Sequence, residues 1–189
     1  MIYGFPGNTQ EYVTSDAVEY VAEVSDPMKI ALRTKRLDII SAEQAKSAEV
    51  RIAYAAIHAS IANAWKKWQG EVLGLHRLGT VAKKQAYERD FAAWAKSKPE
   101  YASLLDSMKA AYKSVTTDYF IRELYNESVG AVSIFNFARS MGASANKSDV
   151  DNNNIATQIA AFGKTYNRTI DEQIAVAMLD EFLQRMPAE

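Results

Sequence analysis

An all-α fold, a multi-helix bundle around one long central helix preceded by a short orphan β-strand, follows from three features of the sequence. Glycine and proline are scarce, 8 and 4 in 189 residues, so little interrupts a helical run. Apolar residues recur at spacings of three and four through most of the chain. One seam, Val50, Tyr54, Ile57, Ile61, Trp65, Trp68, Val72 and Leu75, alternates those spacings for about seven turns.

The elements follow in order. Ile2–Phe5 reads as the end of a short strand running into the Pro6-Gly7 turn, with no partner strand later in the chain. Thr14 or Ser15 caps a first helix with Ala17, Val18, Val21 and Val24 on its apolar side. Asp26-Pro27 is a cap followed by proline at the first helical position, which predicts a new helix carrying Ile30, Leu37 and Ile40 to about Ser41. The long seam predicts a single helix over 48–78, ended by Gly79. Thr80 is placed to cap the next, to about Lys96, and Pro99 to open another toward Tyr125. Ser128 and Gly130 mark a break before a shorter helix to Met141. Residues 144–154 form a polar linker rich in turn formers, and two further helices are expected near 155–162 and 170–186.

Composition excludes several classes of function. With 22 basic and 23 acidic residues the chain is nearly neutral, unlike a protein built to neutralise phosphates, and its aromatics lie on the apolar seam; no nucleic-acid partner is expected. The absence of cysteine removes disulfides, thiolate catalysis and zinc–thiolate sites. No stretch approaches ~20 apolar residues, so no membrane span is expected. Basic charge concentrates in residues 27–95, which hold 12 basic and 6 acidic side chains, 12 − 6 = +6, and the rest of the chain is acidic. Solvated faces and complementarity between the two parts account for that asymmetry.

Candidate chemistry is sparse. His58 and His76 lie five helical turns apart, ~27 Å along an axis, and cannot share a metal. Asp149-Val150-Asp151-Asn152-Asn153 opens like a calcium loop, but Asn154 stands where the turn needs glycine and Ala160 where a bidentate glutamate belongs; the flexible-linker reading is preferred. The pairs Asp171-Glu172 and Asp180-Glu181 are adjacent and point to different faces, suited to capping and solvation. No nucleophile elbow, phosphate loop or dinucleotide fingerprint occurs. No catalytic residue, metal ligand or cofactor is assigned to this chain.

Two stretches carry a family resemblance. Gly4-Phe5-Pro6-Gly7-Asn8-Thr9, followed by Tyr12 and Thr14-Ser15, resembles a turn in the bacterial serine exopeptidases that include dipeptidyl peptidases seven and eleven. Arg51-Ile52-Ala53-Tyr54-Ala55, continuing to Ala59, Asn63, Trp65, Lys66 and Gly70, is similar to that family's Tyr/Asn/Trp helix. Weaker similarity runs through 79–94, 134–139 and 183–189. Two departures stand out: Gln10-Glu11 replaces a basic residue common before the tyrosine, and Ala64 replaces an aromatic common after the asparagine.

The resemblance implies a two-part enzyme of the bacterial periplasm or cell surface, in which a chymotrypsin-like barrel carries a His/Asp/Ser triad and an inserted helical domain caps the cleft. It removes dipeptides from the N-termini of oligopeptides. This chain would then be a remnant strand and turn of the barrel domain over 1–12, a helical cap over 13–143, the linker over 144–154, and continuing cap helices over 155–189 that the family extends further. It would lack the triad and be inactive alone. Its partners would be the peptide N-terminus and the missing barrel domain, with a second copy in a homodimer left open. By resemblance Asn63 helps hold the substrate's α-amino group; the alternative is an amide satisfied by neighbouring helices. Trp65, Trp68, Tyr54 and Tyr12 are read first as packing residues. The competing functional class is a stand-alone helical interaction module presenting the 48–78 helix.

Overall fold

The computed structural model describes residues 13–145 and 152–187. The orphan strand at Ile2–Phe5, the turn through Thr9, Gln10-Glu11, Tyr12, and Asp149 to Asp151 of the calcium-like run lie outside the described residues. Within them the fold is entirely helical: α1 (Ser15–Tyr20), α2 (Asp26–Lys46), α3 (Ala48–Arg77), α4 (Thr80–Ala95), α5 (Leu104–Glu127), α6 (Ser133–Ala145), α7 (Asn152–Thr165) and α8 (Arg168–Arg185).

Thr14 caps α1, its Oγ1 accepting from the Ala17 N–H at 3.4 Å. A carboxylate distant in sequence adds a second cap: Glu88 on α4 accepts from the Ser15 N–H at 2.7 Å and from Ser15 Oγ at 2.5 Å. Helix α2 starts at Asp26-Pro27 as the sequence predicts, but Asp26 is itself helical and does not cap it, which is a correction. The chain stays helical through a π turn at Val21–Ser25, and α2 resumes directly with Pro27 in its first turn. The wider turn bonds the Asp26 N–H to the Val21 carbonyl, so proline's missing N–H costs no α-type bond within a helix interior. Helix α2 also runs a full turn past Ser41, to Lys46.

Ser47 is extended and caps α3 through Oγ, accepting from Val50 N–H at 3.3 Å, so α2 and α3 form a tight antiparallel hairpin. Helix α3 is 30 residues long and stops where the seam pattern ends. Gly79 then takes φ 58°, the left-handed conformation that glycine reaches without a Cβ clash. That glycine occupies the capping position of α4, so Thr80 is already inside the helix and does not cap it as expected. Pro99 does not open α5 either. Residues 98–104 make successive short turns, Tyr101 N–H to Lys98 carbonyl and Leu104 N–H to Tyr101 carbonyl, and the helix starts only at Leu104. Helix α6 continues to Ala145 and α7 begins at Asn152, so both ends of the expected 144–154 linker are helical, and residues 146–151 between them lie outside the described residues.

The core is built on α2. Met28, Leu32, Leu37 and Ile40 pack against Tyr54 and Ile61 of α3, Leu124 of α5, and Ile170, Ile174 and Met178 of α8. Of the α3 seam, Tyr54 and Ile61 are buried in this core and Val50 and Trp65 pack against it, while Ile57 remains exposed. Ion pairs tie the basic α2 to acidic residues far along the chain: Lys29 to Glu123 at 2.5 Å, Arg33 to Glu127 at 2.8 Å, and Lys35 to Glu181. Asp171, itself buried, accepts from the Ser133 and Ile134 N–H groups at 2.8 and 2.9 Å, capping α6 from α8. Beyond this core α6 and α7 share a stack of Phe137 on Phe162, ring centroids 4.1 Å apart.

Candidate functional site: the groove between α2 and α3

The packing of α2 on α3 is pinned at three places. Thr34 donates its hydroxyl to the Ile30 carbonyl at 2.8 Å and accepts from Trp65 Nε1 at 2.9 Å. The neighbouring Arg33 bonds the Ile61 carbonyl through Nη1 at 3.3 Å while holding Glu127 with two parallel bonds of 2.9 and 2.8 Å. One end of the hairpin is closed by Ser41 Oγ and His58 Nε2 at 3.2 Å. Ile61 and Trp65 of α3 are therefore both tied to α2, and Asn63 sits midway between them.

An open groove of about 560 Å³ runs along this side of the hairpin. Thr34, Leu37, Asp38 and Ser41 line it from α2, and His58, Ala59, Ala62, Asn63, Trp65 and Lys66 from α3. Leu37, Ala59, Ala62 and Trp65 give it apolar surface, and the other lining residues bring an acid, a base, an imidazole, a carboxamide and two hydroxyls. The Asn63 side chain is exposed and has no hydrogen-bond partner among the described residues. The alternative of an amide satisfied by neighbouring helices does not hold within those residues. Burial of this amide, which its place beside the seam suggested, does not occur either: α3 turns it to the groove while Ile61, two residues back, is buried. A free carboxamide oxygen on a rigid helix is a directional acceptor for a cation or an N–H donor.

Trp65 packs where the sequence places it and also reaches the groove. Its ring packs against the core while its edge lines the groove. Trp68 is a packing residue covered by charge, with the Arg33 guanidinium 4.4 Å and the Lys29 ammonium 5.4 Å from its ring centroid. Tyr54 is buried in the core, and burial raises its hydroxyl above the ordinary phenol value. Ala64 does not line the groove.

The histidines stay apart. His58 closes the groove, and His76 lies 3.6 Å from Glu23 on the surface. Among the described residues no group of three histidines or carboxylates is placed to hold a metal, and no helix is long and apolar enough to cross a membrane. The acidic pair Asp180-Glu181 is not simply solvated: Glu181 is buried, and although burial works to raise its carboxyl, Lys35 and Arg185 outweigh that and hold it below the usual carboxylate range.

Sequence reasoning passed over the α2 wall. Thr34, Asp38 and Ser41 are spaced four and three apart, the signature of one helix face, and that polar stripe beside the apolar one was the available signal. Glu88 gave no such signal, and the capping role read for Asp171 did not say which helix it serves, because each caps a helix remote in sequence.

The peptidase S46 family profile matches residues 1–189. The chain is 29% identical to the Asp/Glu-specific dipeptidyl-peptidase of Flavobacterium psychrophilum, over 100% of this chain and 28% of the relative. It is 31% identical to dipeptidyl-peptidase 7 of Porphyromonas gingivalis, over 100% of this chain and 27% of the relative. A third relative, the Asp/Glu-specific dipeptidyl-peptidase of Capnocytophaga gingivalis, is 37% identical over 61% of this chain. The chain thus spans a little over a quarter of the length of the first two relatives. With a profile match from end to end, this helical chain belongs to the peptidase S46 family.

Proposed function

We propose that this chain is the helical cap of a serine dipeptidyl peptidase that removes dipeptides from the N-termini of oligopeptides. In this reading residues 13–143 and 155–189 roof the cleft, and 1–12 join them to a β-barrel domain that supplies the nucleophile, base and oxyanion donors. The chain is inactive alone, and the parent enzyme works in the periplasm or at the cell surface. The cap limits access to two residues and anchors the terminal ammonium. One observation carries the anchoring role: the Asn63 carboxamide, at the position matching the family's amine-binding asparagine, is exposed on a groove wall held rigid by Arg33 and Thr34. Exposed apolar side chains support a covering partner over a stand-alone interaction module. Ile52, Val176 and Leu183 are 77%, 72% and 73% exposed.

Steady-state kinetics of the full-length protein test this. Asn63→Ala is expected to raise KM for peptides with a free N-terminus about tenfold or more. As an exposed substitution it leaves stability within about 0.5 kcal/mol. Unchanged peptidase activity removes Asn63 from substrate binding.

A further inference from the structure

We propose that the tyrosine-lined groove between α1 and α5 is the seat of this chain's own Phe5-Pro6 turn, in the apolar segment that precedes Val13. The groove measures about 370 Å³, with Val13, Tyr20 and Val21 on one side and Tyr112, Val115 and Tyr119 on the other. No charged residue lines it. Along α5, Leu104, Met108, Tyr112, Val115 and Tyr119 follow at spacings of 4, 4, 3 and 4, one continuous helix face. Tyr112, Val115 and Tyr119 are 39%, 54% and 44% exposed, and Leu124 is the one buried side chain of α5. An apolar stripe of that length is suited to being covered.

The aromatic walls are held in place. Tyr20 donates its hydroxyl to Glu123 at 2.9 Å, and its ring meets Tyr119 edge-on with centroids 6.0 Å apart. The Arg122 guanidinium lies 4.8 Å from the Tyr119 ring centroid. Walls fixed this way take aromatic and proline rings at little cost in side-chain freedom. Chain connectivity selects the occupant. Val13 is itself a wall of the groove, so residues 1–12, outside the described residues, join the chain at its edge. They carry Ile2, Tyr3, Phe5, Pro6 and Tyr12 against a single charged side chain, Glu11. The seven residues from Val13 back to Pro6 reach at most ~25 Å, and Tyr112 to Tyr119 covers only ~10 Å of α5. A tether that short holds the segment at roughly millimolar effective concentration, which a free peptide or a second copy must outcompete. The docking does not depend on the peptidase assignment. Under the cap reading it also fixes the angle between cap and barrel, because residues 1–12 join the two.

The test replaces Phe5 of the full-length protein by the photoreactive benzoylphenylalanine and maps the cross-links formed on irradiation by mass spectrometry. Links within one chain to the stretch from Tyr112 to Tyr119 are expected. Links to that stretch of a second chain put another copy in the groove and overturn the proposal. Links confined to other surfaces, or none at all, overturn it too. A second variant reads the same contact from the groove side. Val115→Arg, a substitution at an exposed position, is expected to speed amide exchange in residues 2–12 about tenfold or more while α3 keeps its wild-type rate. Unchanged exchange in 2–12, or a rise no greater than that in α3, overturns the docking. Neither readout involves Asn63, so failure here leaves the N-terminus anchor standing. An Asn63→Ala variant without effect likewise leaves the occupant of this groove in place.

Discussion

The Asp26 carboxyl is buried where the helix leaves its π turn, and its Oδ2 has no hydrogen-bond partner among the described residues. Burial, reinforced by the nearby Glu71 and Glu123 and only partly offset by Lys29 and Lys67, pushes it up to about 6. A carboxyl raised in the folded state binds protons that the unfolded chain has already released between about pH 4 and 6. Folding stability from this group therefore falls as pH rises through that window, by about 3 kcal/mol in total. Asp26→Asn is expected to unfold at a higher denaturant concentration than the parent at pH 7.5 and to show little gain at pH 4. A variant destabilised equally at both values contradicts the account and points to an ionised Asp26 paired with Lys29, whose Nζ lies 4.0 Å away. Asn63 and Asp171 show the same rule from the other side. Asp171 is buried with both oxygens used, and Asn63 has a free carboxamide only where solvent or a ligand can reach it.

Helix boundaries were legible wherever the signal was local. The seam of α3, the Gly79 stop and the Thr14 cap all depend on residues within a turn of one another, and each is found where the sequence places it. The misplacements share a physical cause. Asp26-Pro27 starts α2 where the sequence places it, but the π turn Val21–Ser25 joins that helix to α1 without a separate cap. Gly79 holds the capping position ahead of Thr80, and short turns through 98–104 delay α5 past Pro99. The groove was half legible: its α3 wall follows from the Asn63 motif, but the α2 wall depends on hairpin register, which only packing fixes. Gly79 offers a clean test at this scale. Nothing lies within 4 Å of the position a Cβ would take, so Gly79→Ala meets no steric clash and isolates the cost of φ 58°. Thermal or chemical unfolding of that variant is expected to show a loss of about 1 kcal/mol. A neutral or stabilising substitution contradicts a left-handed residue between α3 and α4.

Across the whole molecule, the basic 27–95 segment and the acidic remainder are complementary. Lys29, Arg33 and Lys35 reach Glu123, Glu127 and Glu181 across sequence separations that no local pattern reveals. Those pairs lock α2 between α5 and α8, and α2 in turn fixes α3 and the groove. Rigidity thus converges on the stretch that carries Asn63, while large apolar side chains such as Val176 and Leu183 remain uncovered at the periphery. That division fits a roof whose inner wall binds substrate and whose outer faces meet the rest of a longer enzyme. The most direct test is a crystal structure of the full-length protein with a dipeptide bound. The account predicts the dipeptide's ammonium within ~3 Å of Asn63 Oδ1 in the α2/α3 groove. An ammonium held wholly by other residues, with that groove filled only by water, would contradict it.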